Sequence, residues 1–337
     1  MKLFKLLTPS LFCLAVLFSC SAKKSSSTDK KEIWIYASMY KEVIATYNPV
    51  LKEAFPNLDI KWFQGGSENI AAKLMAEYKG GKTKADILMT ADLFFFMELK
   101  RLAKLKKIDM TQLSHVPQNY IDPDQQFFVD RFPVMVLAYN KSFIKDDMIP
   151  RSFSSLLDAK YKNKITMPSP LQSGTTLTTS LYMKNLFGLD YFKGLRANNI
   201  LSSGGNGSTL ARIQSGEKPI GIVLMENVLQ AKHKGLINVE FVIPEEGAFL
   251  IPCPLAILND TEHPKEVQKL MEWFMSKAAT DLLVQGWIYS SLPNSKTPPG
   301  GPDFGSFKTQ KWDIPTFEKW STERQAIKKS FQKIILQ

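Results

Sequence analysis

IWIYASMYKEVI, residues 33–44, changes its period halfway. Ile33-Trp34-Ile35-Tyr36 is a run of β-branched and aromatic residues, the composition that suits a pleated, buried strand. From Tyr40 to Phe55 the apolar residues recur at helical spacing until Pro56 stops them. The turn between the two halves, Ala37-Ser38-Met39, is small and polar enough to leave backbone N–H groups open.

The same alternation repeats downstream. LDIKWF at 58–63 reads as a second strand, and Gly65-Gly66-Ser67-Glu68 opens a helix with apolar positions Ile70, Ala71, Leu74 and Met75. Asp86 to Met89 forms a third strand, ending at Thr90-Ala91-Asp92 before a helix that runs to Leu105. This β-α-β-α-β-α order predicts a mainly parallel sheet with helices on both faces. FFVDRFPVMVLAYN at 127–140 reads as extended, 153–158 as a short helix, and 164–167 as a strand that leads through PSPLQSGTT at 168–176 into a helix ending at Phe187. A second set follows: helix 208–215, strand 220–224, helix 228–233 and strand 239–243. Residues 249–258 are again extended, 264–277 and 280–286 helical, and 316–336 amphipathic. The stretches 127–140 and 247–258 flank the second set and read as crossover strands. The expectation is an α/β protein of two lobes, two mixed sheets flanked by helices and joined by two crossover strands. Lobe 1 takes 32–130 plus 255–303, and lobe 2 takes 131–254 plus 304–337.

The first nineteen residues stand outside this pattern. Lys2 and Lys5 precede an apolar run from Leu11 to Phe18, too short to span a bilayer, which is the layout of an export signal. Leu17-Phe18-Ser19-Cys20 resembles the lipobox of bacterial lipoproteins. That resemblance implies cleavage before Cys20, lipidation of its thiol, and acylation of its amine by a chain such as palmitate. SAKKSSSTDKK at 21–31 has no apolar period and reads, with Cys20, as a flexible tether over 20–31. The mature chain is expected outside the cytoplasm, on the periplasmic side, anchored to a membrane through Cys20.

Composition narrows the chemistry. Of 337 residues, 44% are hydrophobic, enough for packed cores. The net charge of +11 is scattered without an arginine-rich stripe, so a solvated basic surface is expected and nucleic acid is not a partner. There are three cysteines and three histidines. Cys253 stands alone in the body, and His115, His233 and His263 lie in no HExxH arrangement and are expected at the surface. No GxGxxG follows the first strand, no GxxxxGK[ST] exists to cradle nucleotide phosphates, and Ser173 lacks a GxSxG setting. No catalytic constellation and no cofactor is expected.

In an open parallel sheet the crevice lies at the carboxyl ends of the strands, beside helix N-termini. Ser38, Met39 and Tyr40 end the first strand, Gly65-Gly66-Ser67 the second and Thr90-Ala91-Asp92 the third; Ser173-Gly174-Thr175-Thr176 starts a helix in lobe 2. Hydroxyls and glycines there let backbone amides approach an anion, although the same residues serve equally as helix caps. Asp92 either meets a ligand or caps the helix at Leu93. Arg131, at the first crossover, could pair with an anion but is expected at the surface, and Trp34 is expected in the core.

Taken in order, IWIYASMYKEVI at 33–44, GGSENIAAKLMAE at 65–77, KADILMTAD at 84–92, VLAYNKSFI at 136–144, SFSSLLDAKYKNKITMPSPLQSGTT at 152–176 and IGIVLMENVLQAKHKG at 220–235 resemble a known family. It is that of the extracytoplasmic solute-binding proteins of ABC importers, with the type 2 periplasmic-binding-protein fold, in the branch named after ferric-binding proteins. The resemblance spans about Ile33 to Pro293. It implies a monomeric, non-catalytic binder that closes on a small solute and presents it to permease subunits. One departure bears on the ligand: Glu226-Asn227 stands where ferric binders carry adjacent tyrosines, and Tyr40 where a histidine often falls. Phenolates are the hard donors suited to Fe(III), so their loss argues against iron. Relatives with a Ser-Met pair after the first strand and SGT in lobe 2 bind phosphorylated sugars or aminophosphonates. By that resemblance Ser38, Ser67, Ser173, Gly174 and Thr175 hold the anion, Met39 and Tyr40 line the site, and Glu226 accepts from hydroxyl or ammonium. The alternatives are ferric iron held by Tyr40 and Glu226, a small carboxylate or thiosulfate-like anion, and, in another class, an enzyme on the same fold.

Overall fold

The computed structural model describes residues 30–337. The leader, the Cys20 lipobox and nearly all of the tether lie outside the described residues.

The first alternating set forms in the order its periods predict, though its last helix stops at Arg101 and Leu105 falls in a strand: β1 (Lys31–Ala37), α1 (Lys41–Ala54), β2 (Leu58–Gln64), α2 (Ser67–Lys79), β3 (Ile87–Met89) and α3 (Leu93–Arg101). β1 pairs in parallel with β2 on one side and β3 on the other. After the two-residue β4 (Leu105–Lys106), the chain reaches β5 (Phe128–Phe132) and β6 (Val134–Asn140), and between them it changes sheet. Pro133 marks the change, a residue with no N–H to give to either ladder.

Lobe 2 holds β7 (Ile165–Met167), α4 (Gly174–Phe187), α5 (Asp190–Ala197), β8 (Leu201–Ser202), α6 (Asn206–Ser215), β9 (Ile220–Leu224), α7 (Met225–His233) and β10 (Val239–Val242). Its sheet runs β10-β6-β9-β7-β8. Stretch 153–158 is a tighter 3₁₀ turn, Ser154–Leu157. The chain then returns through β11 (Phe249–Leu250), which pairs with β6, and β12 (Cys253–Leu258), which inserts between β3 and β5. Pro252 sits at this second change of sheet. Both crossovers are therefore real, and they run side by side: Ile251 N–H donates to Pro133 O at 2.9 Å. α8 (Pro264–Phe274), α9 (Lys277–Gln285) and β13 (Tyr289–Ser290) complete lobe 1, whose sheet runs β13-β5-β12-β3-β1-β2 with β4 on the far end of β12.

The amphipathic C-terminus divides into α10 (Ile314–Ser321), α11 (Arg324–Phe331) and a wider π-type turn, Gln332–Leu336. This segment touches both lobes. Phe317 stacks on Phe94 of α3 at 5.2 Å, while Trp320 meets Tyr182 of α4 and Phe331 meets Phe192 of α5. The largest buried cluster accordingly runs from α3 through the C-terminal helices to α4 and α5, and a second packs α1, α8 and α9 on the other face of the first sheet. Trp34 is half-buried, not core: it stands one residue from the exposed start of β1, and its indole N–H donates to Glu32 at 2.7 Å.

Candidate functional site

Where the two sheets face each other, helix N-termini from both lobes converge on a cleft of about 200 Å³. Tyr40 precedes α1, Gly66 and Ser67 start α2, and Ser173, Gly174 and Thr175 start α4. Gly205, Asn206 and Gly207 start α6, and Leu224 and Glu226 belong to the start of α7. Each terminus has N–H groups without an intrahelical acceptor and the positive end of a helix dipole, worth about 0.3–1 kcal/mol to a nearby anion. Five directed at one cavity give it a field that favours negative charge.

The lobe 1 wall is set by strand ends. Ser38 N–H donates to Met89 O at 2.9 Å, and the Ser38 hydroxyl accepts from Ala91 N–H at 3.0 Å, locking the ends of β1 and β3 together. Met39 is buried and its carbonyl accepts from Gln64 Nε2 at 3.1 Å. The Tyr40 hydroxyl donates to Asn227 Oδ1 at 3.2 Å across the cleft. Its phenol is held far above the usual tyrosine range by burial and by the Glu226 carboxyl, so a phenolate is strongly disfavoured there.

On the lobe 2 wall, the Ser173 hydroxyl caps α4 by accepting from Thr176 N–H at 3.3 Å and lies 2.9 Å from the Thr175 hydroxyl. Thr175 Oγ1 accepts in turn from Asn206 Nδ2 at 3.1 Å. Glu226 is 4% exposed; its Oε2 accepts weakly from Val134 N–H at 3.4 Å, and its Oε1 has no hydrogen-bond partner among the described residues. Asn206 Oδ1 is likewise unpartnered. Burial without a full set of donors pushes the Glu226 carboxyl up to about 8.

Gly174 has a steric part that the sequence did not suggest. A Cβ there would lie 2.6 Å from Ala91 O and 2.7 Å from Ser67 Cβ, and one on Gly66 would lie 2.9 Å from Gln172 O. The two glycines mark points at which the backbones of the lobes approach too closely for a side chain.

Eight of the nine sequence-predicted residues thus line one cleft: Ser38, Met39, Tyr40, Ser67, Ser173, Gly174, Thr175 and Glu226. Asp92 does not. It is fully buried, caps α3 by accepting from Phe95 N–H at 3.3 Å, and takes Arg324 on its other oxygen at 2.7 Å. The expectation of a surface Arg131 is also corrected: it is 2% exposed, lines the cleft, and is neutralised by Asp130, whose oxygens accept from Nη1 at 2.8 and 2.9 Å. Sequence reasoning missed Gln64, Gln172 and the α6 terminus. A start at Ser208 left Asn206 outside the helix, although GGNG just before it is the glycine-rich kind of stretch a close approach uses. His115 and His233 are exposed, His263 is half-buried, and none lines the cleft.

Two lobes with a dipole-lined cleft between them, joined by two strands that exchange sheets, define the type 2 periplasmic-binding-protein fold. Residues 82–314 match the profile of the family described as bacterial extracellular solute-binding protein, and the chain belongs to that family. A curated relative in Salmonella typhi, named "Putative 2-aminoethylphosphonate-binding periplasmic protein", is 24% identical over 236 residues, 66% of this chain and 66% of its own length. The chain thus spans just under two thirds of the length of that relative. Among solved structures, the periplasmic binding protein AfuA from Actinobacillus pleuropneumoniae, with fructose-6-phosphate bound, superposes at a TM-score of 0.79 with 21% identity, covering 91% of this chain and 99% of that one. Iron-bound HitA from Pseudomonas aeruginosa gives 0.79 and 20%, covering 89% and 99%. These likenesses establish the fold.

Proposed function

We propose that this chain is the substrate-binding component of an ABC importer. It captures a small anionic, phosphorus-containing solute, a sugar phosphate or a phosphonate, between its lobes and hands it to permease subunits in the membrane. The observation that carries this reading is the convergence of five helix N-termini and the hydroxyls of Ser38, Ser67, Ser173 and Thr175 on one cleft, facing a carboxyl oxygen of Glu226 that has no partner among the described residues. Phosphorus oxygens suit the first set as acceptors, and a hydroxyl or ammonium on the same solute suits the second as donor. The phosphonate named for the Salmonella relative and the sugar phosphate in AfuA carry both features. Iron fits less well, because the phenol of Tyr40 resists ionisation and Asn227 holds its hydroxyl. The protein works as a monomer without chemistry of its own, on the periplasmic side, tethered through lipid on Cys20 so that captured solute is released beside its permease.

The test is a thermal-shift screen of the purified chain against sugar phosphates, phosphonates, inorganic oxyanions and ferric citrate. A ligand at about 100 times its dissociation constant adds about 2.7 kcal/mol, a visible rise in Tm. A phosphorylated compound should stabilise the chain, and Glu226→Ala and Ser173→Ala should abolish the shift. Stabilisation by ferric citrate alone would overturn the reading.

A further inference from the structure

Beside the cleft, and outside it, lies a buried cluster of charge that the binding of a solute does not use. Arg324, the first residue of α11, is 6% exposed. Its Nη2 donates to Asp92 Oδ2 at 2.7 Å and to the Glu68 oxygens at 3.1 and 3.3 Å, Nε reaches Asp92 Oδ2 at 3.2 Å, and Nη1 stands 3.6 Å from Glu98. Lys328, one turn on, pairs with the second Glu68 oxygen. The two carboxylates are placed tellingly: Glu68 follows Ser67, and Asp92 follows Ala91, the very residues that meet Gly174 where the lobes touch.

The helix that carries Arg324 is anchored on the other lobe. α11 packs on α4, Glu323 pairs with Lys184, and the turn beyond it accepts from Arg196 Nη1 through Ile335 O at 3.1 Å. A cation on a helix packed against lobe 2 therefore reaches the cleft-edge loops of lobe 1, just beyond α10, which packs on α3 of lobe 1. The guanidinium fork is suited to this, since it engages two carboxylates in fixed directions as a lysine cannot.

We propose that Arg324 is a positioning residue for the cleft, a latch that holds the Ser67 and Ala91 loops of lobe 1 against lobe 2 and so stabilises the closed form. Closure brings Arg324 between Glu68 and Asp92. Opening withdraws it and leaves the carboxylates of Glu68 and Asp92 without their shared cation, where partial burial and then the Asp92 charge already raise the Glu68 carboxyl. The latch tightens solute retention without touching solute. This role rests on the reading of the cleft as a closing solute site, but not on which solute it takes.

The experiment compares Arg324→Met, Arg324→Lys and Glu68→Gln with the unaltered chain. Small-angle scattering of the ligand-free proteins reads lobe separation, and stopped-flow with the phosphorylated compound found by thermal shift reads dissociation. Expected are a larger radius of gyration for Arg324→Met and dissociation faster by about tenfold with association little changed, the signature of a lost closure contact. Arg324→Lys should recover part of both. If Arg324→Met fails to fold, Glu68→Gln reads the same contact without an unpaired buried cation. Folded variants with unaltered lobe separation, and with unaltered dissociation wherever a ligand is found, overturn the latch. A chain that binds no phosphorylated compound overturns the proposed solute instead, and scattering still decides the latch.

Discussion

Gly174 of lobe 2 meets Ser67 of lobe 1 so closely that a Cβ on the glycine would stand 2.7 Å from that of the serine. The closed cleft depends on a hydrogen atom at that position. Gly174→Ala inserts a methyl group that only a shift of the lobes can accommodate, an overpacking cost of about 1–3 kcal/mol. Because opening the lobes relieves the strain, ligand affinity should fall about 5- to 150-fold while the ligand-free Tm falls by less than the overpacking cost. Titration calorimetry beside a melting curve separates the two. Equal affinity would mean that the lobes do not meet there on binding.

Glu226 gives the protein a pH signature. Its carboxyl is pushed up to about 8 in the folded chain from an ordinary 4.5. Between those values the unfolded chain has released this proton and the folded chain has kept it, so stability falls as pH rises through the window and levels off above it. The slope contributed by this group is at most about 1.4 kcal/mol per pH unit. Glu226→Gln should remove that component. Urea unfolding at pH 5, 6, 7 and 8 shows it as a flatter profile, and parallel profiles for the two chains refute it.

The buried Asp130 and Arg131 stand or fall together. Arg131→Met strips Asp130 of its cation inside a strand whose residues are all buried, and breaking one half of a buried pair costs about 3–5 kcal/mol. The urea midpoint should drop accordingly, and Asp130→Asn in the same chain should restore part of the loss. A midpoint unchanged by Arg131→Met would contradict the pairing.

Cys20→Ala tests the tether. The altered protein should leave the membrane fraction for the soluble one and lose incorporation of labelled palmitate. Retention on the membrane would exclude Cys20 as the anchor.

Much of this was legible in the sequence because it is local. The switch from period two to helical period at 33–44 and the small polar turns at strand ends are each set within a few residues. What local reading misses is long-range pairing. Arg324 meets partners 232 and 256 residues away, so 316–336 reads as one amphipathic run and Asp92 as either a ligand contact or a helix cap, with no sign of its cation. Arg131 was misread for a related reason: a charged pair inside an apolar strand signals burial only once the strand is known to pass through the middle of the molecule. The steric part of Gly174 likewise exists only when the second lobe is present.

The insertion of β12 between β3 and β5 bears on the order in which the chain becomes a protein. The first sheet lacks an internal member until residue 258 has been made, so nothing synthesised before then can close that sheet. Contacts this distant in sequence form slowly. Lobe 1 of such a polypeptide cannot mature until most of the chain has been made, whatever lobe 2 has formed by then.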